Sequence, residues 1–370
     1  MVTSEQLTRD QKYALGTITE WYGGTPPWHQ IAAPGTYVPT LTLGGYAGTG
    51  KTTLLGMLSE HLSTRRIVYV SYTGKAVSVL RRKLPPGAQA STIHRLLYKP
   101  HQRYVCKETG EEIPQYDSLG YCDTHKTVRD KLTDSGLEPP EPCTKVTELA
   151  WQENLNPLEG LDLVVVDEAS MVSERIWTDL TKWGVPVLAC GDHGQLPPIK
   201  SEFNLMAEPQ LKLEEIVRQM ADSPIIQMAT MARERGRLPI RRFGPGAKKI
   251  PLAAMRKVPL DPYRGDVIIC GYNKTRNDMN EAIRRQYDRT GPPAPNDIVI
   301  CLRNSYEQGI FNGMRGRIKE ITDEDPYSHT AYALIEMFDD GFDFYGKISM
   351  AQFGQPKTMN TISRHIALFD

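Results

Sequence analysis

Gly45-Tyr46-Ala47-Gly48-Thr49-Gly50-Lys51-Thr52 follows the apolar run Leu41-Thr42-Leu43 and leads into a helix-forming stretch that ends at Leu62. The pattern is G-x-x-x-x-G-K-[ST], set between a strand and a helix. Its glycines allow backbone N–H groups to converge at a helix N-terminus, where the dipole favours an anion. The ligand such a loop selects is the phosphate chain of a nucleotide. Lys51 would contact the phosphates and the Thr52 hydroxyl would ligate Mg2+. The nucleotide-binding positions are Gly45, Gly48, Thr49, Gly50, Lys51, Thr52 and Thr53. The same stretch decides the fold, because strand, tight loop and helix then recur along the chain.

Arg66–Ser71, Leu161–Val166 and Val185–Cys190 are short apolar runs of the kind buried in parallel sheets, and residues 75–84 read as a helix. Strands alternating with helices predict an α/β sheet wound from βαβ units. Leu163-Val164-Val165-Val166-Asp167-Glu168 delivers two carboxylates to the carboxyl edge of that sheet, where ligands of open α/β sheets bind. Asp167 would hold Mg2+ through water, and Glu168 would position or deprotonate an attacking water. Nucleotide hydrolysis is the chemistry these residues support.

Around this centre the chain divides by pattern. The first 22 residues read as a helix capped by Thr8, with Asp10 and Gln11 in the first turn and Tyr13, Ala14, Ile18 and Trp21 as its apolar positions. Residues 98–150 are polar, with scattered Cys, His and Pro, and interrupt the rhythm as an insertion. A second α/β block starts near 205, with a helix at 223–236, a strand at Asp266–Gly271 and a helix at Thr275–Asp288. From 297 the runs Ile298–Leu302, Gly316–Ile321, Ala331–Phe338 and Phe342–Ile348 look like strands of a small barrel, the last two joined at Asp339-Asp340-Gly341.

The 370 residues suit two or three domains, and 40% hydrophobic with 24% charged residues excludes wholesale disorder. No apolar run approaches the ~18 residues of a membrane span. The N-terminus carries no apolar leader, and six cysteines without tight spacing suit reduced thiols and a cytoplasmic setting. Net charge is zero, but it is unevenly distributed. Residues 233–289 hold 15 Lys and Arg against 6 Asp and Glu, whereas 320–346 hold 8 acidic residues and no Lys or Arg. The basic stretch is a candidate track for nucleic-acid phosphates.

Further motifs narrow the class of nucleotide hydrolase. Gly191-Asp192-His193-Gly194-Gln195-Leu196-Pro197-Pro198 resembles the GDxxQLPP element of superfamily 1 helicases, and Asp167-Glu168-Ala169-Ser170 resembles their DEAS form. Thr73-Gly74-Lys75-Ala76 and Ser91-Thr92-Ile93-His94-Arg95-Leu96 are similar to that family's "TGKAA" and "TIHRLL" elements. Leu7-Thr8-Arg9-Asp10-Gln11, Glu215-Ile216-Val217-Arg218-Gln219, Tyr272–Asn280 and Phe311-Asn312-Gly313-Met314-Arg315-Gly316 match further elements in the family's order. The chain thus resembles superfamily 1B DNA helicases of the Dda/RecD type over residues 7–318. The resemblance implies ATP and Mg2+ as cofactors, and 5′-to-3′ movement on single-stranded DNA up to a duplex junction. It makes Gln195 a link between nucleotide and DNA, Arg218 an arginine finger and Gln11 an adenine reader. Thr73, Lys75, Thr92, His94, Arg95 and Asn312 become DNA contacts.

The resemblance also implies an architecture. A RecA-like ATP-binding domain spans 1–204, with a pin-like insertion at 98–150. A partial second RecA-like domain spans 205–296, a small SH3-like β-barrel insertion 297–365, and a return to the second domain begins at 366–370. Tyr98, Tyr104 and Tyr116 are the aromatic residues a strand-separating pin could stack on a duplex end. The family's final motif would begin where this chain stops, which implies an N-terminal portion needing a C-terminal helicase fragment for unwinding. A DNA-binding ATPase subunit, an inactive fragment and an RNA helicase are the alternative readings. Cys106, Cys122 and Cys143, with His101 and His125, raise a zinc site in the insertion, but their gaps lack the close C-x2–4-C pairs of common zinc modules.

Overall fold

In a computed structural model, the residues described are 7–24, 38–62, 66–106, 108–109, 121–138, 145–198, 202–216, 223–255, 268–305, 308–338, 342–355, 357–359 and 366–370. Arg218 and residues 266–267 of the expected strand lie outside them, as do Tyr116 and Cys143. Among the described residues eight strands precede residue 214: β1 (Thr40–Gly45), β2 (Ile67–Ser71), β3 (Gln89–Thr92), β4 (Tyr98–Cys106), β5 (Lys145–Glu153), β6 (Leu163–Asp167), β7 (Val187–Gly191) and β8 (Leu211–Leu213). The helices among them include α1 (Arg9–Gly24), α2 (Lys51–His61), α3 (Gly74–Arg81), α4 (Ile93–Leu97) and α5 (Asp123–Asp134).

Six of these strands form one sheet in the order β3-β2-β6-β7-β1-β8, with every neighbouring pair parallel. β2, β6 and β7 are buried along their whole length, which is why they read as unbroken apolar runs rather than alternating ones. Leu43, Leu54, Leu55, Leu58, Leu80, Leu163, Val165 and Leu188 form the centre of the core, each fully buried or nearly so. In α1 the buried positions are Gln11, Ala14, Leu15 and Ile18, whereas Tyr13 faces solvent. Tyr13 therefore corrects the expected apolar face, and Leu15 takes its place.

The expected boundary at 204 moves. Leu211–Leu213 adds to β1 as the edge strand, and Gln210 exchanges hydrogen bonds with Thr42, Oε1 accepting from Thr42 N at 2.9 Å and its own N–H donating to Thr42 Oγ1 at 2.9 Å. Among the described residues, 205–296 supplies no second parallel sheet: residues 268–271 are not a strand, and β9 (Arg242–Gly244) and β10 (Ala247–Lys248) make only a short pair. A strand must find a neighbour for its backbone groups, and the described residues offer Ile268–Gly271 none.

From residue 297 the described residues form one five-stranded sheet, β11 (Ile298–Ile300), β12 (Arg315–Asp325), β13 (Thr330–Met337), β14 (Asp343–Ser349) and β15 (Ile366–Ala367), in that spatial order. The sheet closes on itself. β15 pairs with β14, while Ile300 and Asp370 exchange backbone hydrogen bonds at 2.9 and 3.1 Å and Leu302 N donates to Leu368 O at 2.8 Å. Phe369 is fully buried among Ile318, Ile335, Phe344 and Ile348. Residues 366–370 thus complete the barrel, which corrects their expected role as a return to another domain. The helix Asn273–Arg285 is tied to it by Arg276, paired with Asp370 at 2.7 Å, and by Asn277, donating to Gly354 O at 2.8 Å.

Leu97–Pro157 forms a separate compact unit. Its frame is an antiparallel ribbon in which β4 and β5 pair over nine residues, from Tyr98 opposite Glu153 to Cys106 opposite Lys145, with α5 in the connection. The insertion is therefore a built element, and its second strand runs three residues past the expected end at 150.

Candidate functional site

The nucleotide-binding loop leaves β1 at Gly45 and turns through Gly48 and Gly50, at φ 86° and 78°. Gly50 sits directly before the helix in the left-handed region, where a side chain would be strained. The loop is braced from inside. Thr49 is fully buried and its Oγ1 donates to Tyr46 O at 2.8 Å. Lys51 Nζ lies over the loop, donating to Gly45 O at 2.6 Å and Tyr46 O at 3.0 Å. Thr52 and Thr53 follow, half-buried, on the first turn of α2.

Gln11 reaches the same loop from α1. Thr8 and Gln11 form a reciprocal cap, with Thr8 N donating to Gln11 Oε1 at 2.9 Å and Gln11 N to Thr8 Oγ1 at 3.3 Å. The Gln11 amide, buried to 3% exposure, then donates from Nε2 to Thr49 O at 2.9 Å. Both ends of its amide are engaged, so Gln11 couples the start of the chain to the phosphate loop.

β6 ends at Asp167, which is 6% exposed. Burial, with Glu168 adjacent, pushes its carboxyl up to about 6, while Lys51 and Lys83 pull the other way. Glu168 occupies the left-handed region at φ 55°, uncommon for a residue with a Cβ and a form of strain concentrated at functional sites. Its backbone N–H donates to Asp167 Oδ1 at 3.0 Å. The oxygen donors of Thr52 and Asp167 suit a hard divalent cation, and positive charge there would offset the cost of ionising Asp167. Mg2+ fits this donor set.

β7 ends at Gly191, and Asp192 shapes the following turn by accepting from Gly194 N at 2.8 Å. The turn presents Gln195, whose Oε1 accepts from Ser170 Oγ at 3.0 Å. A side-chain bond thus joins the loops that follow two neighbouring strands. Ser170 carries no predicted role, although the DEAS match contained the signal. Also missed was a stack beside the phosphate loop: Tyr46 lies 4.2 Å from the His193 ring, and the Arg233 guanidinium sits 3.8 Å over Tyr46. Burial holds His193 below its ordinary pKa.

The expected DNA-contacting residues collect at the carboxyl ends of β2 and β3. Thr73 caps α3, its Oγ1 accepting from Ala76 N at 3.2 Å, and buried Thr92 caps α4 by accepting from Arg95 N at 3.2 Å. Both threonines thus carry backbone roles beside the exposed Arg95. Tyr72 meets His94 edge to face at 5.5 Å, linking the two elements, and burial lowers the His94 pKa. The barrel loop carrying Asn312 packs here as well. A Cβ on Gly74 would stand 2.7 Å from Asn304 Oδ1 and 2.8 Å from Phe311 Cβ, and the same Asn304 oxygen accepts from Asn312 N at 2.8 Å. Lys75 packs against Gly313.

A family model described as an AAA domain matches residues 31–243, more than half of the chain. The ATP-dependent RecD2 DNA helicase of Deinococcus radiodurans is 28% identical over 319 residues, which are 75% of this chain and 36% of that protein. The DNA replication ATP-dependent helicase/nuclease DNA2 of Saccharomyces cerevisiae is 27% identical over 159 residues, 42% of this chain and 10% of that protein. The matches thus span about a third of the first relative's length and a tenth of the second's. A Bacteroides Pif1 helicase solved with ADP-AlF3 and single-stranded DNA has a TM-score of 0.51 at 15% identity, covering 94% of this chain and 75% of that one. A structure of Pif1 helicases at forked duplex DNA gives 0.50 at 16%, covering 94% and 76%. These likenesses concern the fold.

Proposed function

The chain belongs to the AAA-domain family, and from that premise we propose that it is an ATP-dependent DNA helicase or translocase of the Dda/RecD type. The observation that carries this reading is the Ser170–Gln195 hydrogen bond, which ties the hydrolytic edge of the sheet to the GDxxQ turn. Gly45, Gly48, Thr49 and Gly50 wrap the phosphates, Lys51 neutralises them, and Gln11 braces the loop beneath the base. Thr52 and Asp167 hold Mg2+, which when bound draws charge from the phosphate oxygens. Glu168 orients the attacking water and takes up its proton. Gln195 senses the state of the site through Ser170, and Arg218 supplies a guanidinium to the γ-phosphate.

Single-stranded DNA crosses the carboxyl ends of β2 and β3. Lys75, His94 and Arg95 face the strand from positions set by the Thr73 and Thr92 caps, and Asn312 reaches it from the barrel. Movement is 5′ to 3′ toward a duplex junction. The relatives' printed names as DNA helicases and the motif order support this reading. Hydrolysis with and without poly-dT, followed by unwinding of 5′-tailed and 3′-tailed forks, tests it. Stimulation by poly-dT with opening of the 5′-tailed fork alone is the expected result. Hydrolysis indifferent to nucleic acid, or stimulated by poly-U alone, would sink it.

A further inference from the structure

We infer that the inserted unit is a zinc module whose ligands include Cys106, Cys122 and His125. The three residues come from separate parts of that unit. Cys106 is the last residue of β4, Cys122 immediately precedes α5, and His125 lies in its first turn. Their ligand atoms all lie within 4.8 Å of one another. His125 Nδ1 is 3.0 Å from Cys122 Sγ and 3.5 Å from Cys106 Sγ. A tetrahedral zinc with Zn–S near 2.3 Å and Zn–N near 2.0 Å sets S···N edges of about 3.5 Å and S···S edges of about 3.8 Å. The Cys106–His125 spacing of 3.5 Å equals that edge, the Cys122–His125 spacing of 3.0 Å is shorter, and the two sulfurs lie within 4.8 Å of each other.

The surroundings point the same way. Cys106 and Cys122 are 0% and 3% exposed, whereas α5 buries no residue at all among those described. Buried side chains described in the unit are few, and the two cysteines and Tyr121 beside them make up most of those beyond Tyr98. Among the described residues of the unit the apolar core is small, and a structural metal supplies folding energy directly. The cluster sits where such a metal acts, joining the end of the ribbon to the start of its helix.

A tetrahedral site needs a fourth donor. Glu108 Oε2 is 3.1 Å from Cys106 Sγ. The C-x2-H pair Cys122–His125 and the distant Cys106 escape the usual spacing rules because the ribbon, not a local turn, brings them together.

The test is metal analysis of the full chain purified without chelator, followed by replacement with cobalt(II). One zinc per chain is expected. Cobalt should give tetrahedral d–d absorption with thiolate charge-transfer bands whose intensity corresponds to two thiolates. His125→Cys should retain the metal, whereas His125→Ala and Cys122→Ser should lose it or bind it at least tenfold more weakly. Cys301→Ser, a buried cysteine of the barrel, should change nothing in the metal content. Hydrolysis by Cys122→Ser without DNA reports whether the nucleotide-binding domain remains folded. Absence of zinc and of cobalt thiolate bands, or the same stoichiometry in Cys122→Ser and His125→Ala, would overturn the inference.

Discussion

Ser170 Oγ donates to Gln195 Oε1 at 3.0 Å, so the residue two places after Glu168 holds the side chain of the next loop. Neither residue touches the phosphate loop in any bond described above. Their pairing joins the segment that follows Glu168 to the turn built on Asp192.

Ser170→Ala should therefore behave like a mild Gln195→Ala. Loss of one hydrogen bond predicts a fall of about three- to tenfold in DNA-stimulated kcat, with the KM for ATP little changed. Because both residues serve one interaction, the double variant should be no worse than Gln195→Ala alone. Additive losses in a steady-state cycle would show that the bond does not couple them.

Asp167 is held in its ionised form at a cost to the fold. Its carboxyl sits at about 6 instead of 3.8, so the folded state binds the extra proton between those values. As pH rises through that window the folded state alone must release the proton, and stability falls. Asp167→Asn should remove the penalty, raising stability at pH 8 by up to about 3 kcal/mol while abolishing hydrolysis. The gain should disappear below about pH 4, where both states are protonated. Denaturant titrations of both proteins without nucleotide at pH 8 and pH 4 check the sign. A destabilised variant at pH 8 would contradict it.

Gln11→Ala removes the brace on Thr49 O and half of the Thr8 cap. A loss of about 1–2 kcal/mol in stability and a raised KM for ATP at near-parent kcat are expected. Thermal unfolding and saturation kinetics read both, and an unchanged Tm would exclude the bracing role.

Gly74 lets the barrel loop approach α3. In Gly74→Ala the new methyl would meet Asn304 and Phe311 at under 3 Å, forcing the loop away at a cost of roughly 1–3 kcal/mol. Affinity for single-stranded DNA, followed by fluorescence anisotropy, should drop several-fold while hydrolysis without DNA stays near parent level. Unaltered binding would separate the barrel loop from the DNA path.

The parts legible from sequence were those whose chemistry acts locally. A phosphate loop needs glycines at fixed spacing, and a buried parallel strand needs an unbroken apolar run, so β1, β2, β6 and β7 and the acids at Asp167 and Glu168 were found where expected. The rest depended on pairing between distant residues. Leu211–Leu213 is too short to carry a period and becomes a strand only beside β1. Lys99-Pro100-His101-Gln102 has no strand signature, yet pairs in register with residues about fifty positions away. Ile366–Asp370 reads as the start of something new, and only its bonds to Ile300 and Leu302 show that it closes the barrel. Ser170 and the Tyr46–His193–Arg233 stack were hidden for the same reason.

The central claim is that the phosphate loop drives work on single-stranded DNA. Its most direct test is steady-state ATP hydrolysis by the parent chain and by Lys51→Ala, each with and without poly-dT. The account predicts hydrolysis raised severalfold by poly-dT in the parent and none above background in the variant. Retained hydrolysis in Lys51→Ala, or a parent rate that poly-dT leaves unchanged, would contradict it.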